Sequence, residues 1–296
     1  MSNGAVYIIT QDKRYVNLLL TSAASLKRAM PELPITVFSQ FPVDGAELSN
    51  VITVAPTQDG FYDKAMLIRQ SPYERTMFID ADTFVVEPVP ELFSLLDRFD
   101  CAAAHEEYLN TDWFNYYARQ DIPQSFPEFN TGVLMLRRSE RTDRLLGDWG
   151  KLYHEYLTGK PDKQINDQPF FRAAVYDSDV RMATLTREYN CKFRGQGYLN
   201  GPVKILHGHV KFEVKPEHIN KAVKALNASS RPRVYIAGKV YEQKLVGRLV
   251  GRRKAHKVGS FPELPGSIVL MRAKRLKEVV GEVGVGRALG KIFRRK

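Results

Sequence analysis

The chain has 296 residues, 44% of them hydrophobic and 26% charged. That composition excludes disorder, collagen and low complexity as descriptions of the whole, and it permits one large or two medium domains. Cys101 and Cys191 are the only cysteines, too few for a disulfide scaffold or a four-cysteine zinc site, and such usage suits a reducing compartment.

The N-terminus has no basic region or small-residue cleavage site, so a cytoplasmic protein is expected. Residues 5–10 form a short apolar run of strand type. Val16, Leu19, Leu20, Ala23, Leu26 and Met30 follow a helical period that Pro31 ends. The longest uncharged stretch, residues 15–26, is shorter than the roughly 18 apolar residues a membrane-spanning helix needs. Residues 35–38 and 51–54 predict strands, 64–70 a helix, 76–79 a strand, 90–98 a helix and 101–104 a strand. This alternation predicts an α/β fold with a mainly parallel sheet, whose ligands bind beyond the carboxyl ends of the strands. Residues 106–129, rich in aromatic and polar side chains, read as an irregular segment over the site. A strand over 131–136, helices over 143–157 and 168–175, and a short strand over 203–206 follow. Asn227, Ser229, Ser230 and Pro232 mark an expected boundary between a domain of residues 1–230 and a tail of residues 231–296.

The first chemical signal is Asp80-Ala81-Asp82, placed directly after the apolar run Met77-Phe78-Ile79. Residues i and i+2 of an extended chain point to one side, so the two carboxylates are expected to converge at the strand end. Two such groups repel unless a cation joins them, and hard oxygen donors suit Mg²⁺ or Mn²⁺. A divalent ion there commonly completes its shell with phosphate oxygens and neutralises a departing phosphate. A phosphatase of the haloacid dehalogenase type also carries Asp-x-Asp, but its pattern has Thr or Val four residues after the first Asp, where Phe84 stands here. A sugar-1-phosphate nucleotidyltransferase needs a glycine-rich loop after the first strand, and Thr10-Gln11-Asp12-Lys13-Arg14 contains no glycine.

The formal net charge of +11 is uneven. Residues 231–296 hold 18 Lys and Arg against 4 Asp and Glu, whereas residues 1–230 hold 26 against 29. Lys244, Arg248 and Arg252 are spaced by four, with Leu245 and Leu249 beside them. Farther on, Ile268, Leu270, Met271, Leu276 and Val279 interleave with Arg272, Lys274, Arg275 and Lys277. This pattern predicts a basic amphipathic helical tail able to lie on an anionic membrane surface. A solvated helix face packed on the body is the alternative. Nucleic acid is not expected, because the tail offers few aromatics for stacking.

Taken in order, several motifs resemble those of GT-A-fold glycosyltransferases, and most of all the family-eight group that uses nucleotide-sugar donors. They are Phe78-Ile79-Asp80-Ala81-Asp82-Thr83, Phe129-Asn130-Thr131-Gly132-Val133-Leu134-Met135-Leu136, Asn166-Asp167-Gln168-Pro169-Phe170, Tyr189-Asn190 and Ile205-Leu206-His207-Gly208-His209-Val210-Lys211. The resemblance spans residues 5–212 and implies roles for the matching positions. Asp80, Asp82 and His207 would hold Mn²⁺ or Mg²⁺, and an imidazole ligand favours Mn²⁺; His209 is a competing ligand. Thr10, Asp12 and Tyr15 would hold the base and ribose, Lys64 would face the donor, and Lys211 would contact the diphosphate. In this sequence the stretch after His207 is shortened and ends in Lys211-Phe212, whereas the family's pattern ends in Lys-Pro-Trp. Asn130, Thr131 and Gly132 would line the donor sugar, with the glycine letting the backbone approach it. Asp167 would accept from sugar hydroxyls and Gln168 would lie near the anomeric carbon. Alternatively, Asn166 or Asp167 simply caps a helix.

The resulting expectation is a metal-dependent glycosyltransferase. It would move a hexose from a nucleoside-diphosphate sugar, with UDP favoured, to a hydroxyl of a glycan or glycolipid acceptor, with retention. If the outcome were inversion, Asp167 would be the candidate base. Two alternatives stay open: a metal-dependent phosphatase, and a non-catalytic, membrane-associated partner protein of the same fold.

Overall fold

The computed structural model describes residues 1–55, 59–106, 119, 121–159, 165–208, 216–243 and 255–260. Residues Met1–Phe261 form one compact unit. Among the described residues no helix is long and apolar enough to cross a membrane.

The centre is a seven-stranded sheet. In chain order its strands are β1 (Asn3–Ile9), β2 (Ile35–Ser39), β3 (Asn50–Thr53), β4 (Arg75–Ile79), β6 (Cys101–His105), β7 (Phe129–Arg137) and β8 (Met182–Leu185), arranged β3-β2-β1-β4-β7-β6-β8. β1, β2, β3 and β4 pair in parallel, as do β6 and β8; β7 alone runs antiparallel to its neighbours β4 and β6. The mainly parallel α/β architecture expected from the sequence is therefore present.

A strand with both faces covered sends alternate residues into two cores. Ala5, Tyr7 and Ile9 of β1 and Met77 and Ile79 of β4 pack with Leu18, Leu19, Ala23 and Leu26 of helix α1 (Tyr15–Ala29) and with Leu92 and Phe93 of helix α3 (Glu91–Leu95). On the opposite face, Val6, Phe78, Leu134 and Leu136 meet helices α2 (Gly60–Ile68), α4 (Glu140–Gly159) and α5 (Gln168–Asp177), around the fully buried Trp149. α1 is amphipathic for this reason. α2 starts where the Asp59 carboxylate accepts from the Phe61 N–H at 2.7 Å, a side-chain N-cap.

A three-stranded sheet, β5 (Thr83–Val85), β11 (Ile205–His207) and β9 (Cys191–Lys192), carries the chain from the end of β4 back toward the site. Beneath it, helix α6 (Pro216–Leu226) buries Ile219, Ala222 and Leu226.

The third sheet corrects the sequence reading. β10 (Gln196–Leu199), β12 (Arg233–Ile236), β13 (Lys239–Gln243) and β14 (Ala255–Ser260) form an antiparallel sheet in that order. A helical tail was expected from residue 231; residues 233–236, 239–243 and 255–260 are strands instead. The hairpin between β12 and β13 turns through Ala237 and Gly238, with φ of 46° and 77°. Positive φ at both central residues is the requirement of a tight hairpin turn, and Ala-Gly advertises it less clearly than Asn-Gly. The stripe at Lys244, Arg248 and Arg252 and the interleaved run from Ile268 lie outside the described residues, as does the whole segment Pro262–Lys296.

Candidate active site

β1 and β4 are parallel neighbours, so their carboxyl ends open on the same side of the sheet. A cleft of about 420 Å³ lies there, lined by Thr10, Asp12 and Tyr15 at one end and by Lys64, Asp80, Asp82 and His207 at the other. Thr10 follows β1, and Gln11 comes next with a φ of 69°, its N–H donating to the Gln40 side chain at 3.0 Å. The Asp12 carboxylate accepts from the Arg14 backbone at 2.9 Å and its guanidinium at 2.7 Å. Tyr15 opens α1 and is 37% exposed.

The acidic pair converges differently from the expectation of an extended chain. Both the N–H and the hydroxyl of Thr83 donate to the Asp80 carbonyl, at 3.2 and 2.8 Å, so residues 80–83 form a turn. β5 follows at once, and its pairing with β11 places Thr83 opposite His207. The Gly208 N–H donates to the Asp82 carbonyl at 3.1 Å. A histidine distant in sequence is thereby delivered to the two aspartates. His207 Nε2 lies 3.6 Å from an Asp80 oxygen and 3.4 Å from an Asp82 oxygen. One ligand atom from each of the three residues falls within 4.8 Å of the others.

His207 Nδ1 is bonded to the Asn190 side-chain oxygen at 2.9 Å. That contact makes Nδ1 the donor and turns Nε2 toward the carboxylates, the orientation a ligating imidazole requires. Burial opposes a charged imidazole here, but Asp82 and Asp80 outweigh it and raise the pKa to about 9. Two oxygens and a nitrogen held at this spacing fit a divalent cation of the Mn²⁺ or Mg²⁺ class.

Gly132 also packs directly against His207. A Cβ built on it would lie 2.1 Å from the His207 ring. The glycine therefore makes room for the imidazole, and its carbonyl also accepts from the Asp80 N–H at 2.9 Å.

Lys64 lines the cleft from a largely buried position. Its ammonium lies 3.1 Å from an Asp80 oxygen, 3.1 Å from the Thr131 hydroxyl and 3.5 Å from Asp167, and 4.9 Å from the centre of the Phe78 ring. Burial raises the Asp80 carboxyl, but Lys64 and His207 together hold it at about 2. Burial also opposes the Lys64 charge, yet Asp167 and Asp80 raise its pKa. Asp167 sits at the start of α5 without capping it; its carboxylate instead accepts from Thr131 at 2.9 Å. Burial leaves its pKa raised even beside Lys64.

A second buried network adjoins the first. The Asn130 oxygen accepts from the Gly132 N–H at 3.0 Å and from Asn190 at 2.8 Å, while its amide donates to Glu106 at 2.8 Å. Glu106 also accepts from Gln168 and, at 2.9 Å, from Lys192. The Asn166 amide donates to the Gln168 oxygen. Gln168 is thus connected to His207 through Glu106, Asn130 and Asn190.

All expected site residues except two meet around this cleft and network; Lys211 and the competing ligand His209 lie outside the described residues. Glu106, Lys192 and Arg194 were not singled out by sequence. Glu106 follows an apolar strand, the same signal that Asp80 gives. Asn190-Cys191-Lys192-Phe193-Arg194 alternates polar and apolar side chains: Cys191 and Phe193 enter the core, Asn190 and Lys192 bond into the site, and Arg194 stands within the electrostatic reach of Asp82.

No family model matches the chain, and no curated protein matches it. Three solved structures have a similar course. The galactosyltransferase LgtC, in complex with donor and acceptor sugar analogues, is 14% identical over 70% of this chain and 87% of that one, with a TM-score of 0.49. Mouse xyloside xylosyltransferase 1 is 16% identical over 73% and 100%, also at 0.49. The glycosyltransferase GlyE of Streptococcus pneumoniae TIGR4 is 16% identical over 65% and 47%, at 0.44. At these values the likeness describes neighbours only, and function is read from the site itself.

Proposed function

We propose that the chain is a metal-dependent GT-A glycosyltransferase of the family-eight kind, which transfers a hexose from a nucleoside-diphosphate sugar to an acceptor hydroxyl. The observation that carries this is the Asp80–Asp82–His207 cluster at one end of a cleft. Lys64 pairs with Asp80 and Asp167, and Asp80 and Asp82 converge with His207 on one point. A divalent cation held there would replace the imidazole's proton between the two carboxylates and take up the charge of a departing diphosphate. Mn²⁺ is favoured because one of the three donors is an imidazole.

The chain's own groups supply the rest. Thr10, Asp12 and Tyr15 stand where a nucleoside would lie, with the Tyr15 ring available to stack on a base, and UDP is the favoured donor nucleotide. Arg194 adds positive charge on the Asp82 side, where the diphosphate would rest, a part that Lys211 shares in the reading from motifs. Lys64 keeps Asp80 ionised and pins Asp167 and Thr131. Asn130, Asp167 and Gln168 line the sugar's side, and Glu106 fixes the Gln168 amide so that its oxygen stays an acceptor. Asp167 is buried and engaged with Lys64 and Thr131. A carboxylate so held is poorly placed to take the acceptor's proton, which supports retention over inversion.

The basic tail extends the reading to location. Its 18 cationic residues would hold a cytoplasmic enzyme at an anionic membrane face, beside a glycolipid or glycan acceptor. Sedimentation of the full chain with anionic vesicles tests this. The combined variant Arg272→Gln, Lys274→Gln, Arg275→Gln and Lys277→Gln is expected to lose binding, and equal binding would remove the assignment.

The central test is a screen for UDP release from nucleotide sugars in Mn²⁺, with Asp82→Ala as the control. Release is expected from the parent chain and none from the variant. Equal turnover by the two would overturn the metal reading, and phosphate release from simple phosphomonoesters without UDP formation would favour the phosphatase alternative. Calorimetry showing no UDP binding in Mn²⁺ would favour a non-catalytic partner.

A further inference from the structure

The strand Arg233-Val234-Tyr235-Ile236 has its faces inverted. An antiparallel sheet with one covered side normally turns polar residues outward. Here Arg233 and Tyr235 are buried, while Val234 is 37% and Ile236 50% exposed. The register is not free to slip, because a one-residue shift would exchange the faces and Arg233 prevents it. Its guanidinium donates to the carbonyls of Leu226, Gly201 and Arg231. Gly197 helps in the same way: a Cβ there would meet the Tyr235 hydroxyl at 2.6 Å. Across the pair, Tyr198 stands opposite Val234 and Gln196 opposite Ile236, and Tyr198 is 57% exposed. Three neighbouring apolar side chains thus face outward on one small patch, an arrangement that marks a binding surface.

The patch is one wall of a groove of about 590 Å³, whose other wall includes His105, Glu106 and Arg187. Glu106 is the link that matters. The same carboxylate bonds Gln168 and Asn130, so one residue of the groove belongs to the buried network that reaches His207.

We propose that this groove is the acceptor site and that it takes an amphipathic, lipid-bearing acceptor. The hydroxylated head of the acceptor reaches Glu106, and its apolar part lies on Tyr198, Val234 and Ile236. The catalytic meaning of the groove rests on the glycosyltransferase reading; its occupancy by an amphiphile does not.

The test uses the full chain with octyl β-galactoside, below its micelle concentration, and methyl β-galactoside as probes. Saturation-transfer NMR is expected to show transfer to the octyl protons in the parent chain and its loss in Tyr198→Ala and Ile236→Asp, with Mn²⁺-dependent UDP binding unchanged. In transfer assays with UDP-galactose and UDP-glucose, the octyl glycoside is expected to have a KM about tenfold below the methyl glycoside. Both variants are expected to erase that advantage while slow hydrolysis of the donor continues. Octyl saturation that persists in both variants overturns the proposal. So does saturation confined to the sugar protons, which would make the groove a bare carbohydrate site. If the parent chain releases no UDP from any nucleotide sugar, the glycosyltransferase reading fails, and the NMR arm still decides the groove.

Discussion

Buried aspartates stand at both ends of the central sheet, and their surroundings are opposite in kind. Asp100, just before β6, is fully buried. Its Oδ1 accepts from Arg181 at 3.0 Å and from Arg137, its Oδ2 accepts from the Arg181 backbone at 3.0 Å and guanidinium at 3.1 Å, and Arg141 lies at 3.5 Å. One carboxylate faces three guanidiniums, and both its oxygens are occupied by protein. At the other end, Asp80 and Asp167 share Lys64, and Asp80, Asp82 and His207 line an open cleft. The first arrangement closes on itself and ties β6, β7 and β8 together. The second aims two carboxylates and an imidazole at a cavity, a donor set open to a ligand. Burial and ion pairing are common to both, so neither identifies the active site. The side chains that face a cleft rather than one another set the second apart as the candidate site.

The contrast is broken most severely at Lys64. Lys64→Met leaves Asp80 and Asp167 without their shared cation, and breaking a buried pair costs about 3–5 kcal/mol. Urea unfolding is expected to show that loss, and Mn²⁺-dependent UDP release is expected to fall about a hundredfold. A variant of parental stability would remove the lysine from the centre of the cluster.

Gly132→Ala should come next. The added methyl collides with the His207 ring, and the imidazole must move off the aspartates. Mn²⁺ affinity, followed by titration, is expected to fall about 10–100-fold, the usual effect of disturbing the groups that orient a ligand. An unchanged affinity would show that His207 is no ligand.

Asp100→Asn sharpens the comparison from the other end. It is expected to cost about 2 kcal/mol of stability with UDP release per folded molecule unchanged. Hydrogen bonds from Arg181 hold this carboxyl well below the usual range, with burial working against them. Its stabilisation is therefore present above about pH 4, the unfolded carboxylate's value, and is lost as pH falls through the depressed folded value. Unfolding curves of the variant should lose that acid dependence.

The smallest effect is expected at Glu128. Burial, and then the neighbouring Glu106, raise its pKa to about 7. A carboxyl raised on folding favours the native state below its unfolded pKa, and that advantage fades as pH rises through 7. Glu128→Gln should leave stability unchanged near pH 4 and add about 1 kcal/mol near pH 8. A parallel pH profile for the two proteins would place Glu128 in a more open setting.

The amino-acid sequence determined the alternation of strands and helices, because the apolar runs at 5–10, 76–79 and 131–136 and the period through Leu19, Ala23 and Leu26 are local patterns. It also located Asp80 and Asp82, which sit next to the run that ends in them. It missed the strands at 233–236, 239–243 and 255–260, because helical spacing of basic residues farther along outweighed the short alternation in Arg233-Val234-Tyr235-Ile236. Tertiary structure alone decided the remainder. The pairing of Thr83 with His207, the space that Gly132 leaves for an imidazole, the burial of Lys64 between two aspartates and the reach of Glu106 from Asn130 to Gln168 join positions tens of residues apart. Periodicity reports only what lies within a turn or a pleat of itself. Charge balance in a cavity depends on which distant groups the packed sheets bring together, and no local pattern records it.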